Sequence, residues 1–516
     1  MTLTLALVPL DERPACAALP REIAAVAGAR VLLPPPSALP RVRRAGDTAA
    51  LAGWLRSVRC DAAVVALETL GYGGLIASRT VPATVEEVAG RWAALREVRA
   101  PVHAVTLVTR TPDSDDAMEE PGYWSAHGPA LHRLSASLHR LSAGQDASRP
   151  SDVPGIPDVP DTSSALGMGV PGVGAPGAGM PGEPEVPDDV RGDFLRRRLR
   201  NHTLNLTALG LLADGTLESL VIGADDTAVW GLATAELGWL RSWASWLGDG
   251  RVSVRPGADE AVSTLVARVL SGGTPVGFSV EAAGPLDRVA PYENMPVERT
   301  ALGQIAACGG VAGSDVCLVV HVPDQSGADW AVAPPAATDA RAAEKVAALV
   351  ERLLGEGRRV AVADCGQPNG ADPALVAALA GRGLLHRLTA YAGWNTAGNT
   401  IGTAVAHAVA VVAGQRAGTF DARAHRRLLM RRLVEDYGYM TGARAAARAR
   451  LGSDPARHDH VPAGHPVLRE IVAALDGLRL PGFEGLRVSG VGLPWERTFE
   501  VDFDITDNSE EGDGAC

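Results

Sequence analysis

One pattern restricts the fold more than any other: short aliphatic runs alternate with helical stretches, and nearly every run stops at a polar, glycine-marked motif. The runs lie at Leu3–Val8, Arg30–Leu33, Ala62–Leu67, Val102–Val108, Leu220–Gly223, Arg251–Arg255, Pro275–Val280, Val316–Val322, Arg359–Ala363 and Leu388–Tyr391. Unbroken apolar runs of this length read as strands buried on both faces, and their alternation with helices means parallel β/α units. In a closed eight-stranded barrel every loop after a strand reaches the same face, whereas in an open doubly wound sheet only those beside the switch point meet a ligand. Polar motifs follow almost all the runs here. The expected architecture is therefore α/β, a (β/α)8-like barrel with extra strands. Two doubly wound lobes facing one cleft are the alternative.

The chain has 516 residues, 46% of them hydrophobic, enough for a large core. The β/α units fill 1–143 and resume over 188–415. Between them, 144–187 is rich in Pro, Gly, Ser and Asp and reads as a disordered, dispensable insertion. Helical and short-strand patterns follow over 416–505, with alternation in Leu486–Phe503 that fits one or two antiparallel strands, and 506–516 reads as a disordered acidic tail. A net charge of −12 without a basic stripe excludes nucleic acid as partner and suits a neutral or cationic small molecule. The six cysteines are scattered, which argues against a disulfide framework or zinc ribbon. The opening MTLTLALVPLDERP lacks a basic leader region, and its apolar run is broken by Asp11, Glu12 and Arg13. No stretch reads as a membrane span, so the expectation is a cytoplasmic protein.

The chemistry centres on Leu220–Gly231, LVIGADDTAVWG. Adjacent Asp225 and Asp226 at a strand end repel each other, so one keeps its proton while the other stays ionised, as acid/base catalysis requires. The plainer reading is a helix cap. Successive strand residues face opposite ways, so the chain must leave the strand at Asp225 for both acids to meet a ligand; Gly223 and Thr227 suit that departure. Asp226, expected to be the more buried, is assigned the proton and Asp225 the orienting role. Candidate substrate contacts come from the other strand ends: Asp11 and Arg13, then Glu68, Tyr72 and Arg79, Tyr292 and Glu293, Asp364, Asn369 and Asp372, and finally Trp394, Asn395 and Asn399. An aromatic plate beside side-chain amides is how proteins hold a sugar ring. The alternative makes Trp394 core and the asparagines turn-formers. His458, His460 and His465 read as a surface loop, Cys365 beside Asp364 is a poor nucleophile, and no nucleotide loop is present, so no metal or cofactor is expected.

Six motifs, PLDERP at 9–14, ETLGYGGLIASRT at 68–80, GADDT at 223–227, PYEN at 291–294, NGAD at 369–372 and YAGWNTAGNTIGT at 391–403, together resemble a bacterial family known as domain of unknown function 4127. The resemblance covers the chain apart from 144–187 and implies no activity. Asp225–Asp226 and the Trp394–Asn395 loop are also similar to those of O-GlcNAcase-type barrel glycosidases. That likeness implies that Asp225 orients an acetamido group and Asp226 is the general acid/base. Three functions follow: a glycoside hydrolase acting on an N-acetylhexosaminide or related carbohydrate; a metal-dependent hydrolase or lyase with Asp11, Asp225, Asp226 and Asp364 around Mg²⁺ or Mn²⁺; and a non-catalytic sugar-binding or regulatory protein.

Overall fold

The aliphatic runs form two separate parallel sheets in the computed structural model, which describes residues 2–144, 186–248, 250–454 and 457–507. The first lobe runs β1 (Thr4–Val8), α1 (Pro14–Val26), β2 (Arg30–Leu32), α2 (Thr48–Ser57), β3 (Ala62–Ala66), α3 (Leu67–Tyr72), α4 (Leu75–Thr80), α5 (Val85–Trp92), β4 (Val102–Val108), α6 (Trp124–Ser142), α7 (Asp188–Ala213), β5 (Ser219–Ala224), α8 (Leu232–Leu247), β6 (Val252–Val254) and α9 (Ala261–Leu270). The second runs β7 (Gly277–Ala282), α10 (Val297–Ala307), β8 (Val311–Ala312), β9 (Val316–His321), α11 (Ala340–Gly355), β10 (Val360–Asp364), α12 (Pro373–Gly381), β11 (Ala390–Ala392) and α13 (Ala397–Ala417).

All pairings within both sheets are parallel. The strand orders are β2-β1-β3-β4-β5-β6 and β11-β10-β9-β7-β8. Counted within its own lobe, the second sheet reads 2-1-3-4-5, the order of the first five strands of its companion. Winding direction reverses between β1 and β3 and again between β7 and β9. A barrel needs each new strand laid on the same side of the last, so these reversals keep both sheets open and give two doubly wound lobes. The expected barrel is thus corrected to the two-lobe alternative, while the parallel β/α units stand.

Strand alternation sorts the cores. Ala6, Val8, Ala63, Val65, Ala104, Leu220 and Ile222 form one core with residues of α2, α5, α7 and α8. Leu5, Leu7, Val64, Val105, Leu107 and Val221 join residues of α1 and α9, and this second core continues into the other lobe through Val316–Val320 and Val360–Ala363. Its bridge is α13, which packs against α1, α9 and α10 as well as β10 and β11. Among the described residues α13 is the one helix long and apolar enough to cross a membrane, and it is buried from Ala397 through Gly414.

Beyond α13 come α14 (Ala422–Arg432), a π-helical stretch over Leu433–Ala443, α15 (Arg444–Leu451), α16 (Val467–Gly477) and the antiparallel pair β12 (Leu486–Gly492) and β13 (Asp502–Asp507). The expected ligand loop at Glu68–Arg79 is instead two short helices, α3 and α4. They are broken at Gly73 and Gly74, with φ of 87° and 128°. A Cβ on Gly74 would stand 2.8 Å from Pro40 Cβ, so the sharp turn serves packing. Apart from its ends, the insertion expected at 144–187 lies outside the described residues, as does the tail beyond 507.

Candidate active site

The carboxyl ends of the two sheets face one cavity of about 210 Å³. The first lobe lines it with Arg13 after β1, Arg79 at the end of α4, Arg110 after β4, Asp225 and Asp226 after β5, and Asp259 after β6. Opposite stand Tyr292 after β7, Asn369 after β10 and Asn395 after β11. Arg448, His458, Arg497 and Phe499 of the C-terminal segment close the remaining side.

β5 stops at Ala224 because the turn after β6 lies against it: Ala224 N–H donates to Gly257 O (3.1 Å), and Gly257 N–H donates back to Ala224 O (3.0 Å). Asp226 then takes a left-handed backbone, φ 40°, so both adjacent carboxylates meet the same cavity. Tyr292, Asn369 and Asn395 are left-handed as well, at φ 63°, 63° and 51°. Four such non-glycine residues around one cavity are backbone strain gathered at a site.

Charges here are paired. Arg79 Nη2 donates to Asp225 Oδ2, and Arg79 Nη1 donates to Glu119 and Glu120 at 3.1 Å each. Arg110 donates to Asp226 (3.2 Å), Glu119 (3.1 Å) and Glu120 (2.9 Å). Arg497 reaches Glu119 at 2.5 Å. Burial would raise the Glu119 pKa, but Arg110 and Arg497 outweigh it and hold the carboxyl well below its usual value. Burial likewise disfavours charge on Arg79, and neighbouring Arg110 adds to this, so its pKa falls. Asp226 behaves differently. Burial in the cleft raises its pKa, and Arg110 and Arg79 only partly oppose that rise. Asp226 is nevertheless the more open of the pair, its side chain 30% exposed against 14% for Asp225, which corrects the expectation that it would be the more buried. The Asp225 and Asp226 carboxylates are distinguished by their partners.

Arg13 is clamped between Asp11 (2.8 Å) and Asp259 (2.6 Å), and its guanidinium lies 4.8 Å from the Trp495 ring centroid. Asp11, Cys16 and Asp259 form the one metal-like grouping found among the described residues. The Arg13 guanidinium already supplies the cation there. Asp11, Asp225, Asp226 and Asp364 do not form such a grouping.

Of the residues expected from sequence, Arg13, Arg79, Asp225, Asp226, Tyr292, Asn369 and Asn395 line the cavity. The others serve the scaffold. Asp11 sits behind Arg13. Glu68 is buried against Leu107 N–H (2.8 Å) and Thr106 (3.0 Å). Tyr72 packs in the first-lobe core under Arg200. Glu293 accepts Gly398 N–H at the start of α13 (2.7 Å), and Asn399 accepts Ala258 N–H (3.3 Å) across the lobes. Asp364 accepts Tyr391 O–H and Asp372 N–H, while Asp372 pairs with His321 and caps α12. Trp394 is the plainest correction. It is 3% exposed, with its indole N–H donating to Thr403 (3.1 Å), so it is core and offers no stacking face.

His458 is the converse. Expected on a surface loop, it lines the cavity, bonded to Asp116 (2.6 Å) and 3.5 Å from Glu119. Those carboxylates outweigh burial and raise its pKa. Arg110 and Asp259 were overlooked although both follow strands, as the other site residues do. Glu119 and Arg497 carry no local signal, and the histidine cluster that includes His458 reads from sequence as a surface loop.

A family model described as protein of unknown function (DUF4127) matches residues 5–153 and 182–504. No curated protein and no solved structure matches the chain.

Proposed function

The chain belongs to the family described as protein of unknown function (DUF4127), and from its cleft we propose that it hydrolyses a glycosidic bond in a small carbohydrate, an N-acetylhexosaminide being the first substrate to try. The observation that carries this reading is the left-handed turn at Asp226, which delivers two adjacent carboxylates to one cavity against two different arginines. Asp225, held by Arg79, is the fixed anion that orients substrate and stabilises positive charge as the bond breaks. Asp226, held more loosely by a 3.2 Å contact with Arg110 and raised in pKa by burial, is the group assigned to protonate the leaving oxygen. The side-chain amides of Asn369 and Asn395 and the half-exposed Tyr292 suit hydroxyl groups and a ring face. The cavity is smaller than the ~300–1,000 Å³ of drug-sized pockets, which favours a single terminal sugar over a polymer. Five described cysteines are free thiols, which fits a reducing compartment such as the cytoplasm.

Kinetics on aryl glycosides of graded leaving-group acidity test the assignment. Asp226→Asn is expected to slow poor leaving groups by about 10²–10⁴-fold and activated ones far less. Asp225→Asn is expected to slow both. Full activity of either variant on every glycoside cleaved by the native protein would refute the pair's role, and no turnover of any glycoside would refute the reaction class.

A further inference from the structure

The second-lobe wall of the cleft is held by a buried carboxylate set behind it, Asp329, between β9 and α11. Its Oδ1 accepts Ala331 N–H (2.6 Å) and Val332 N–H (3.2 Å) and so closes its own turn. Its Oδ2 accepts Tyr292 O–H (2.7 Å), from the loop after β7. Asn369 Nδ2, from the loop after β10, donates to both oxygens (3.1 Å and 3.0 Å). Three loops thus meet on one side chain, and the residues they bring, Tyr292, Val332 and Asn369, line the cavity.

A carboxylate accepts hydrogen bonds and cannot donate them. Asp329 therefore decides which way its partners face. The Tyr292 hydroxyl gives its proton to that bond and keeps only lone pairs for anything else. The Asn369 amide turns its N–H2 toward Asp329, which leaves Oδ1 on the other side, and among the described residues Oδ1 has no partner. The backbone does not swing to provide one. Asn369 is left-handed, its N–H donates to Asn395 O (2.8 Å), and its carbonyl accepts Arg444 Nη2 (2.5 Å). A buried acceptor left unpaired in a residue that lines a cavity calls for a donor from the ligand. The wall also touches the acid pair's turn: Tyr292 O accepts Thr227 N–H (2.8 Å), one residue after Asp226.

We propose that Asp329 is a positioning residue that makes this part of the wall acceptor-only, so that the ligand seats an unsubstituted hydroxyl or N–H against Asn369 Oδ1 and Tyr292 Oη. The inference rests on the carbohydrate reading for the identity of the ligand, and it narrows that reading to sugars whose group at this point is free. A ring carrying fluorine, an ether or an ester there offers the wall only further acceptors, and the buried oxygen stays unpaired.

Asp329→Asn tests this without a change of size. The N–H groups of Ala331 and Val332 keep the new side chain's oxygen at the Oδ1 position, which puts its N–H2 at the Oδ2 position, facing Tyr292 and Asn369. Asn369 is then expected to flip and turn its own N–H2 to the cavity. The full chain carrying side-chain ¹⁵N asparagine reads the flip by NMR, with the Asn369 signal assigned by Asn369→Asp. In the native protein that N–H2 is expected to exchange slowly with water and in Asp329→Asn rapidly, with the amides of Asn201 and Asn205 unmoved. Rapid exchange in the native protein, or slow exchange in both, would overturn the proposal. Binding is read by titration with N-acetylglucosamine, its deoxyfluoro analogues at each hydroxyl and its N-methylated amide. The native protein is expected to bind at least one analogue about 10–100-fold more weakly than the parent, and Asp329→Asn to shrink that gap to about twofold. Equal binding of parent and all analogues by the native protein would also overturn it. If no sugar binds while the amide behaves as expected, the carbohydrate reading fails and the acceptor wall stands.

Discussion

At the scale of single residues, the cleft and its surroundings divide by how each carboxyl is answered. Asp225, Asp226 and Glu119 each face an arginine, whereas among the described residues Glu68 faces only Leu107 N–H and Thr106 and leaves Oε2 without a partner. Burial therefore raises the Glu68 pKa from 4.5 to about 7. Between those values the folded protein keeps a proton that the unfolded chain gives up. Stability consequently falls as pH rises through that window, by up to about 3 kcal/mol. Glu68→Gln is expected to remove this dependence: urea melts should show the variant more stable than the native protein at pH 8 by roughly that amount, and equal to it near pH 4. Equal stability at pH 8 would mean that the carboxylate is answered after all. Glu68 also shows what a strand-end position cannot reveal. Its place beside a glycine-rich stretch suggested a ligand contact, but whether such a side chain points to the cleft or into the core depends on the helix that follows. Trp394 misled in the same way, and His458, in a segment without periodicity, misled in the opposite one.

Among elements, β5 and the turn after β6 decide where the acids stand. A Cβ on Gly223 would lie 2.5 Å from Gly257 O and 2.8 Å from Leu107 Cδ2, so only glycine lets that turn approach and bring Asp259 toward Asp225 and Asp226. Gly223→Ala is expected to destabilise the protein by about 1–3 kcal/mol, lowering the urea midpoint without changing the slope. Activity measured well below the midpoint should also fall, because the acid pair moves with the strand end. An unchanged midpoint would mean that the turn can retreat freely. Elements were the most legible level. All ten strands expected from aliphatic runs are present, and of the one or two antiparallel strands expected over Leu486–Phe503, β12 lies there while its partner β13 runs on to Asp507. The two-residue β8 was missed because it carries no pattern long enough to register. Local sequence specifies that a strand exists but not its neighbours, which are chosen by side chains far along the chain. This is why the parallel units were readable while their closure into a barrel was misjudged.

For the whole molecule, the shared core and α13 tie the two lobes into one folding unit. Residues of both sheets belong to a single buried cluster, and Asn399 and Asn395 hold α13 and its preceding loop against the turn after β6. Thermal or urea unfolding is therefore expected to be one transition, with far-ultraviolet circular dichroism and a fluorophore placed in either lobe reporting the same midpoint. Two separated midpoints would show that the lobes stand apart. The cavity wall has one more consequence. Its residues run from Arg13 to Phe499, and the last side to be supplied is the one bearing His458 and Arg497. A chain emerging from the ribosome can build both lobes and still lack a finished cleft until the segment bearing His458 and Arg497 has emerged and folds back. Whatever chemistry the cleft performs is thus withheld from every copy that has not yet gained that segment.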